Sequence, residues 1–262
     1  MSKLYLFWII SRLSGNPLLA GAVILVIWVA TDQVTLGLLP SPLRAINRWR
    51  RASQLRDNIT INPNDRRSRL ELSELLIGQR RYAAAVELLK PNLEAGDDDT
   101  TTLYALGVGC LGSGRWEQGE VFLNAAREQD PSYRLGGADL ELGRWRLARG
   151  DVRGAREALE RLCARRIGTV EGKVLLARAL AADGDPAGAT KLLDAAWTDY
   201  SSSPRFQQRQ DRFWAWRARP SRPLAYLALL LTVGFLFTTW VAPQLSRRTA
   251  PHASRAPRDE DD

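Results

Sequence analysis

Residues 114–132 read GRWEQGEVFLNAAREQDPS, and this stretch decides the fold class. Its apolar residues, among them Trp116 and Leu123, and the proline near its end are typical of a single helix. Gly119 and Ala126 are small residues at positions where an isolated helix would carry bulky side chains. Since short side chains let two helices approach closely, the stretch predicts a helix packed tightly against another helix.

The same pattern occurs four times along the chain, at intervals of 34, 36 and 34 residues. Three positions recur in phase in every copy. They hold first Tyr82, Trp116, Val152 and Pro186, then the small residues Ala85, Gly119, Ala155 and Ala189, and finally Leu89, Leu123, Leu159 and Leu193. Periods of this length indicate a solenoid of helical hairpins.

Another helix, the first of each hairpin, precedes each copy and carries a large residue followed by a small one. These pairs are Leu72–Ser73, Leu106–Gly107, Leu142–Gly143 and Leu176–Ala177. The small residues allow close approach, and the bulky ones fill the grooves between helices. The sequence therefore predicts an all-α fold, a helical-hairpin solenoid of about four repeats flanked by two transmembrane helices.

The repeats resemble the tetratricopeptide repeat (TPR) family, in the form of a membrane-anchored bacterial member. The matching residues are Leu106, Gly107, Gly114, Trp116, Gly119 and Pro131 in the second copy, with Gly150, Ala155, Gly184 and Ala189 in later copies. The resemblance covers 66–203. This sequence departs from the pattern at Arg80, where the other copies have Gly, at Gly119, where Ala is usual, and at two additional residues near 133–135.

The resemblance implies a solenoid that binds a protein or peptide along the concave face made by the first helix of each hairpin. The family's pattern places nine side chains in this candidate partner groove: Arg67, Leu70, Glu74, Tyr104, Val108, Arg144, Leu147, Val174 and Arg178. The Lys/Asn clamp of chaperone-binding members is not evident, because Tyr104, Val108 and Leu111 occupy that face of the second unit. We therefore assign no chaperone docking.

The composition argues against catalysis and against a metal or cofactor. The 262 residues include one histidine, His252, and two cysteines, Cys110 and Cys163, which lie 53 positions apart. This excludes a zinc cage and most general-base chemistry at neutral pH. No nucleophile–base pair, paired carboxylates or phosphate-binding loop is found. We predict a non-enzymatic protein without a cofactor, with an enzyme of unrecognised class as an alternative.

Two apolar segments are long enough to cross a bilayer. Residues 224–242 are 19 residues without a charge, and 17–40 form the other segment, with Asp32 toward its C-terminal end. We place Asp32 at the level of the lipid headgroups, with a functional intramembrane acid as the alternative. A cleaved signal peptide ending near residues 20–22 is the competing interpretation of the N-terminal region.

The net charge of +8 is concentrated beside these two segments. Residues 66–203 hold 20 Lys+Arg and 21 Asp+Glu, whereas the remainder holds 17 and 8. Eleven arginines lie on the repeat side of the segments, so the positive-inside rule predicts a two-pass protein of the inner (plasma) membrane with cytoplasmic repeats. Anionic headgroups, and no nucleic acid, are the expected partners of these flanks. The predicted membrane-surface anchors are Arg48, Trp49, Arg50, Arg51, Trp214, Trp216 and Arg217.

The predicted organisation has seven parts. They are an N-terminal apolar or interfacial segment (1–16), a transmembrane helix (17–40), a basic juxtamembrane capping helix (41–65), the solenoid (66–203, with units 66–99, 100–133, 136–169 and 170–203), a basic aromatic capping helix (204–222), a second transmembrane helix (223–243) and a disordered polar tail (244–262). The predicted function is that of an adaptor or scaffold, which binds a protein or peptide partner at the membrane surface. The alternative is an envelope assembly or quality-control factor with extracytoplasmic repeats.

Overall fold

The structure, a computed structural model, describes residues 42–166 and 168–236. In these residues the chain forms helices joined by short turns, and no strand. The elements are α1 (Pro42–Ile61), α2 (Arg66–Gly78), α3 (Tyr82–Glu94), α4 (Thr100–Gly112), α5 (Trp116–Gln129), a 3₁₀ turn (Tyr133–Leu135), α6 (Gly137–Arg149), α7 (Val152–Arg165), α8 (Val170–Ala182), α9 (Pro186–Ser202), α10 (Arg205–Ala218) and α11 (Ser221–Leu236).

From α1 to α10, each helix packs against the next helix along the chain. The even-numbered helices also contact one another in the order α2, α4, α6, α8 and α10. They therefore form one layer, which we call the inner layer, with the odd-numbered helices on its other side. Helix α1 covers the first hairpin through the buried residues Ala52 and Leu55, and α10 covers the last hairpin. The all-helical TPR-like solenoid predicted from the sequence is confirmed.

Glycine and leucine interlock where the two helices of a hairpin meet. A Cβ atom at Gly107 of α4 would lie 2.6 Å from Cγ of Leu123 in α5. One at Gly119 of α5 would lie 2.6 Å from Cγ of Leu111 and 2.8 Å from its backbone nitrogen. Both leucines are fully buried. The small residues of the repeat thus mark the closest helix contacts, as the sequence predicted.

Short polar side chains fix where five of the eight hairpin helices begin. Each accepts a hydrogen bond from the backbone N–H three residues ahead, with donor–acceptor distances between 2.8 and 3.1 Å. These N-caps are Asp65, Asp99, Asp151, Thr169 and Asp185. A cap of this kind satisfies a backbone donor that the helix itself cannot pair, and contributes about 1 kcal/mol.

A buried carboxylate links consecutive hairpins. Asp139, in the first turn of α6, is almost inaccessible to solvent. Its oxygens lie 3.6 Å from Arg127 of α5, 3.1 Å from Arg161 of α7 and 3.4 Å from Arg165 of α7. A buried charge is tolerated only when it is paired. The three guanidinium groups therefore hold α6 between α5 and α7.

None of the helices in the described residues has both the length and the hydropathy needed to cross a bilayer. The predicted first span (17–40), the N-terminal segment (1–16) and the polar tail (244–262) lie outside these residues. Of the predicted second span (223–243), the structure describes the part that belongs to α11.

The contact at Gly119 gives a stability prediction. Gly119→Ala should lower the free energy of unfolding by about 1–3 kcal/mol, because the added methyl group meets the Leu111 backbone, which cannot rotate away. The measurement is thermal unfolding of the full chain in detergent, followed by circular dichroism. Gly78→Ala is the matched control, since a Cβ there meets nothing within 4 Å. Equal melting temperatures for both variants and the parent chain would refute the contact.

Candidate functional site

A cleft of about 650 Å³ lies on the inner layer, and we call it the inner cleft. Five inner helices and the turn from α2 to α3 contribute to it. Its lining residues are Ile77, Arg80, Tyr82, Val108, Glu141, Arg144, Trp145, Leu147, Ala148, Leu175, Arg178, Trp214 and Arg217. The cleft therefore depends on the whole stack, from the first hairpin to the last covering helix.

Aromatic side chains form part of the cleft wall. The Trp145 ring meets Tyr82 edge-on with centroids 6.1 Å apart, and meets Trp116 at 5.7 Å. The indole N–H of Trp145 is buried and has no hydrogen-bond partner in the described part of the chain. This N–H nevertheless lies near Glu141, where it opposes part of the rise that burial causes in the pKa of that carboxyl. Trp214 is half-buried and packs on the hydrophobic clusters of the last two hairpins.

One of the four arginines in the cleft is neutralised by carboxylates. Nη1 of Arg144 donates to both oxygens of Glu141, at 2.7 and 3.0 Å, and its Nη2 donates to Glu171. Burial raises the pKa of the Glu141 carboxyl above its usual value, Arg144 opposes this shift, and the negative charge of Glu171 adds to it. The cluster of Glu141, Arg144 and Glu171 is thus internally compensated.

The other three arginines leave the cleft positively charged. Arg80, Arg178 and Arg217 make no ion pair with a carboxylate among the described residues. The Arg217 guanidinium instead lies over the rings of Phe213 and Trp214, 4.2 and 5.0 Å from their centroids. Cationic groups beside aromatic faces provide both charge and apolar surface for a ligand.

The backbone of Arg80 is strained. Arg80 has φ 60°, and the same turn in the later repeats is made by Gly114, Gly150 and Gly184, with φ between 85 and 89°. A residue with a Cβ in this left-handed region costs about 1–2 kcal/mol relative to the right-handed one. Such strain on a side chain that lines a cleft points to a functional role.

A second charged contact crosses the inner layer beside the cleft. The two-residue insertion near 133–135 forms the 3₁₀ turn, in which Arg134 and Leu135 both have positive φ. Arg134 donates to Glu74 at 2.5 Å and lies 5.1 Å from the Tyr104 ring centroid. The ring of Tyr133 contacts Tyr104 edge-on. This bridge covers the part of the inner layer formed by α2 and α4.

The structure brings four of the nine predicted groove residues together in the inner cleft: Val108, Arg144, Leu147 and Arg178. Glu74 and Tyr104 belong to the Arg134 bridge instead. Leu70 and Val174 pack in hydrophobic clusters between helices, and Arg67 is exposed outside the cleft. The predicted groove is therefore divided into an open part and a covered part.

The predicted membrane-surface anchors also separate. Trp49 is 69% exposed on α1, beside the exposed Arg48 and Arg50. Arg51 pairs with Glu71 at 2.6 Å. Trp216 is half-buried. Trp214 and Arg217 line the inner cleft, and their contact with the membrane stays a prediction.

Seven cleft residues, together with Trp214 and Arg217, were not in the predicted groove: Ile77, Arg80, Tyr82, Glu141, Trp145, Ala148 and Leu175. The available signals were departures from the repeat. Arg80 replaces the turn glycine, and Trp145 stands 36 residues after Gly109, in the same place of the next repeat.

Metal and thiol chemistry find no support in the residues 42–166 and 168–236. No three His, Cys, Asp or Glu side chains there cluster in a way that could hold a metal ion. Burial raises the pKa of the thiols of Cys110 and Cys163. A raised pKa disfavours the thiolate, which is the form that binds metals and attacks electrophiles.

The stacked hairpins and the cleft on their inner layer define a helical-repeat protein with a candidate recognition surface. No family model matches the chain. Over 75 residues the chain is 39% identical to the TPR repeat-containing protein PA0015 of Pseudomonas aeruginosa. These residues make up 29% of this chain and 70% of that protein. The chain therefore belongs to the TPR family.

Two solved structures of MamA share the fold. They superpose on 57% of this chain and on 86% and 81% of their own chains, with TM-scores of 0.52 and 0.51 and 19% identity. At this level of identity the likeness concerns the architecture of the helices alone.

Arg80 offers a test of strain against function. Arg80→Gly should leave the free energy of unfolding unchanged or raise it by about 1 kcal/mol, because relief of the left-handed strain outweighs the added freedom of the unfolded chain. The same change removes a positive charge from the cleft, so binding of an acidic peptide should weaken. Thermal unfolding and fluorescence anisotropy measure the two effects. Arg81→Gln, at the exposed neighbour with φ −89°, is the control. Clear destabilisation by Arg80→Gly would contradict the strain.

Proposed function

We propose that this protein is a membrane-anchored, non-catalytic TPR scaffold that holds an acidic segment of a partner protein in its inner cleft. The observation that carries the proposal is the combination, in one cleft, of partly exposed aromatic rings with three arginines that form no ion pair with any carboxylate the structure describes. The TPR fold supports a role in protein–protein interaction. The chemistry of the cleft supports the nature of the segment that it binds.

The positive charge of the cleft is local and does not follow from composition. Residues 66–203 hold 20 basic and 21 acidic side chains, so the repeats as a whole are nearly neutral. Most of the acidic side chains are therefore elsewhere, and Glu141 is the one carboxylate among the cleft lining residues. A ligand with Asp or Glu side chains complements Arg80, Arg178 and Arg217, and such complementarity guides both encounter and orientation.

The aromatic residues favour an apolar side chain within the acidic segment. Trp145 and Trp214 offer flat apolar faces, and Trp and Arg are the residue types that most often dominate binding energy at interfaces. A phenylalanine or leucine of the ligand would pack there while the flanking carboxylates meet the arginines. Simple polyanions lack this second contact and should bind more weakly.

Membrane anchoring is the second part of the proposal. It rests on the apolar segments 17–40 and 223–243 and on exposed leucines of α11. The arginine distribution favours two passes through a bacterial inner membrane with cytoplasmic repeats. An envelope assembly or quality-control factor with extracytoplasmic repeats is the alternative, since it needs only the opposite orientation.

Reporter fusions test the orientation. Alkaline phosphatase, which is active only outside the cytoplasm, should be inactive when fused after Ser202 and active when fused after Asp262. The arginines between the two segments are expected to keep the repeats inside. Activity after Ser202 together with its loss after Asp262 would establish the alternative orientation.

A designed peptide tests the cleft. The full chain in neutral detergent is titrated with a fluorescein-labelled peptide in which Asp and Glu flank one Phe, and anisotropy is recorded. Arg178→Gln and Arg217→Gln should each weaken binding roughly two- to fivefold, the range expected for partly exposed ion pairs. Glu141→Gln should strengthen it, because the cleft loses a negative charge. Higher salt should weaken binding in the parent chain.

Three controls define the result. Arg153→Gln removes an exposed arginine of α7, outside the cleft, and should leave the affinity unchanged. A peptide with Asn and Gln in place of the acids, and one with Ser in place of Phe, should bind weakly. Equal binding of the acidic and neutral peptides, or unchanged affinity in both arginine variants, would refute the proposed ligand chemistry.

A further inference from the structure

Helix α10 has two apolar faces, and one of them is uncovered. The buried residues Ala215 and Ala218 pack in the cluster with the last hairpin. On the other side, Phe206 and Phe213 are 69% and 56% exposed. They are seven residues apart, so they lie on the same side of the helix, two turns from each other. We call this surface the Phe206–Phe213 face.

The Phe206–Phe213 face lies in a strongly basic segment. Residues 204–222 contain a single acid, the half-buried Asp211. They contain six arginines: Arg205, Arg209, Arg212, Arg217, Arg219 and Arg222. Arg219 pairs with Asp194 at 2.5 Å, and Arg217 and Arg222 lie over aromatic rings. The exposed aromatic rings are therefore surrounded by positive charge.

A second exposed apolar surface begins close to the C-terminal end of α10. Two residues, Arg219 and Pro220, separate α10 from α11. Helix α11 exposes Leu224, Leu227, Leu229 and Leu231. A connection this short keeps the end of α10 beside the start of α11. The environment that receives the leucines therefore lies next to the end of α10 that carries Phe213.

We propose that the Phe206–Phe213 face docks on an anionic lipid surface, with α10 lying along the membrane. This inference rests on the proposed membrane anchoring. Amphipathic helices bind this way by inserting apolar rings at the level of the headgroups while basic residues contact the anionic lipids. The stems of the arginines cover apolar surface, and their charged ends reach the headgroups.

Charge favours lipid over a second copy of the chain. A symmetric dimer through this face would bring the same surface of both copies together. The arginines of each copy would then oppose those of the other around a small apolar contact. Anionic headgroups compensate these charges instead. Since Trp214 and Arg217 lie on the same helix, docking would also hold one wall of the inner cleft close to the membrane.

Fluorescence quenching tests the docking. The full chain, with Cys110 and Cys163 replaced by Ala, carries bimane at Gln210→Cys, an exposed site on α10. It is reconstituted in nanodiscs that contain a nitroxide-labelled lipid. Quenching should be strong with phosphatidylglycerol, weaker with phosphatidylcholine alone, and lost in the Phe206→Ser/Phe213→Ser variant. Each of Arg205→Gln and Arg212→Gln should lower the ratio of docked to undocked chain roughly fivefold.

Matched controls sit on α5, in the other layer of helices. Bimane at Gln118→Cys, an exposed glutamine of α5, should not be quenched. Val121→Ser, which removes a 65% exposed apolar residue of α5, should leave the quenching at residue 210 unchanged. Quenching at residue 210 that is the same with both lipids, and the same in the Phe206→Ser/Phe213→Ser variant, overturns the docking. The docking is also overturned if quenching is absent and the chain instead dimerises through this face in a concentration-dependent way.

Failure of the anchoring can be told apart from failure of the docking. If the labelled chain is not retained in phosphatidylcholine nanodiscs, the proposed anchor is wrong. The same chain is then mixed with phosphatidylglycerol vesicles that carry the nitroxide lipid. Quenching at residue 210 in the vesicles supports the Phe206–Phe213 face as a lipid-binding surface, and its absence overturns it.

Discussion

The contact between a small residue of one helix and a leucine of its hairpin partner is the constraint on which the structure depends. Leu123 packs directly against Gly107, and Leu111 against Gly119, at distances that leave no room for a Cβ on either glycine. The small and large positions recur in every repeat, so each hairpin closes in the same way and the next hairpin meets the same surface. The inner layer, and any cleft on it, follows from this repeated contact.

The candidate cleft is shaped where the sequence departs from the repeat. Arg80 takes the place of a turn glycine at the cost of a strained backbone, and Trp145 stands where the preceding repeat has Gly109. The two-residue insertion brings Arg134 to Glu74. Regular positions support the fold, whereas these exceptions shape the inner cleft and the contact beside it. Local rules of this kind are expected to fail at functional sites.

The sequence was sufficient for the hairpins but not for the cleft. Helix pairing and caps such as Asp151 and Asp185 are set by residues close in the chain, and period and propensity reveal them. The cleft combines side chains from five inner helices. Trp214 and Arg217 come from α10, beyond the last repeat, so no register predicted their meeting with Trp145. Tyr104 matched the groove pattern, yet the insertion places Tyr133 and Arg134 over it.

Helix α10 takes part in both of the proposed activities, recognition of a partner and docking on the membrane. Trp214 and Arg217 line the inner cleft, and the Arg217 guanidinium lies 4.2 Å from the ring centroid of Phe213. Residues four positions apart lie on the same side of a helix, so the Phe206–Phe213 face borders the inner cleft. A change in α10 must therefore be interpreted by its face, because a single arginine such as Arg217 stacks on Phe213 while it lines the cleft. This geometry favours partners whose acidic segment lies close to the membrane.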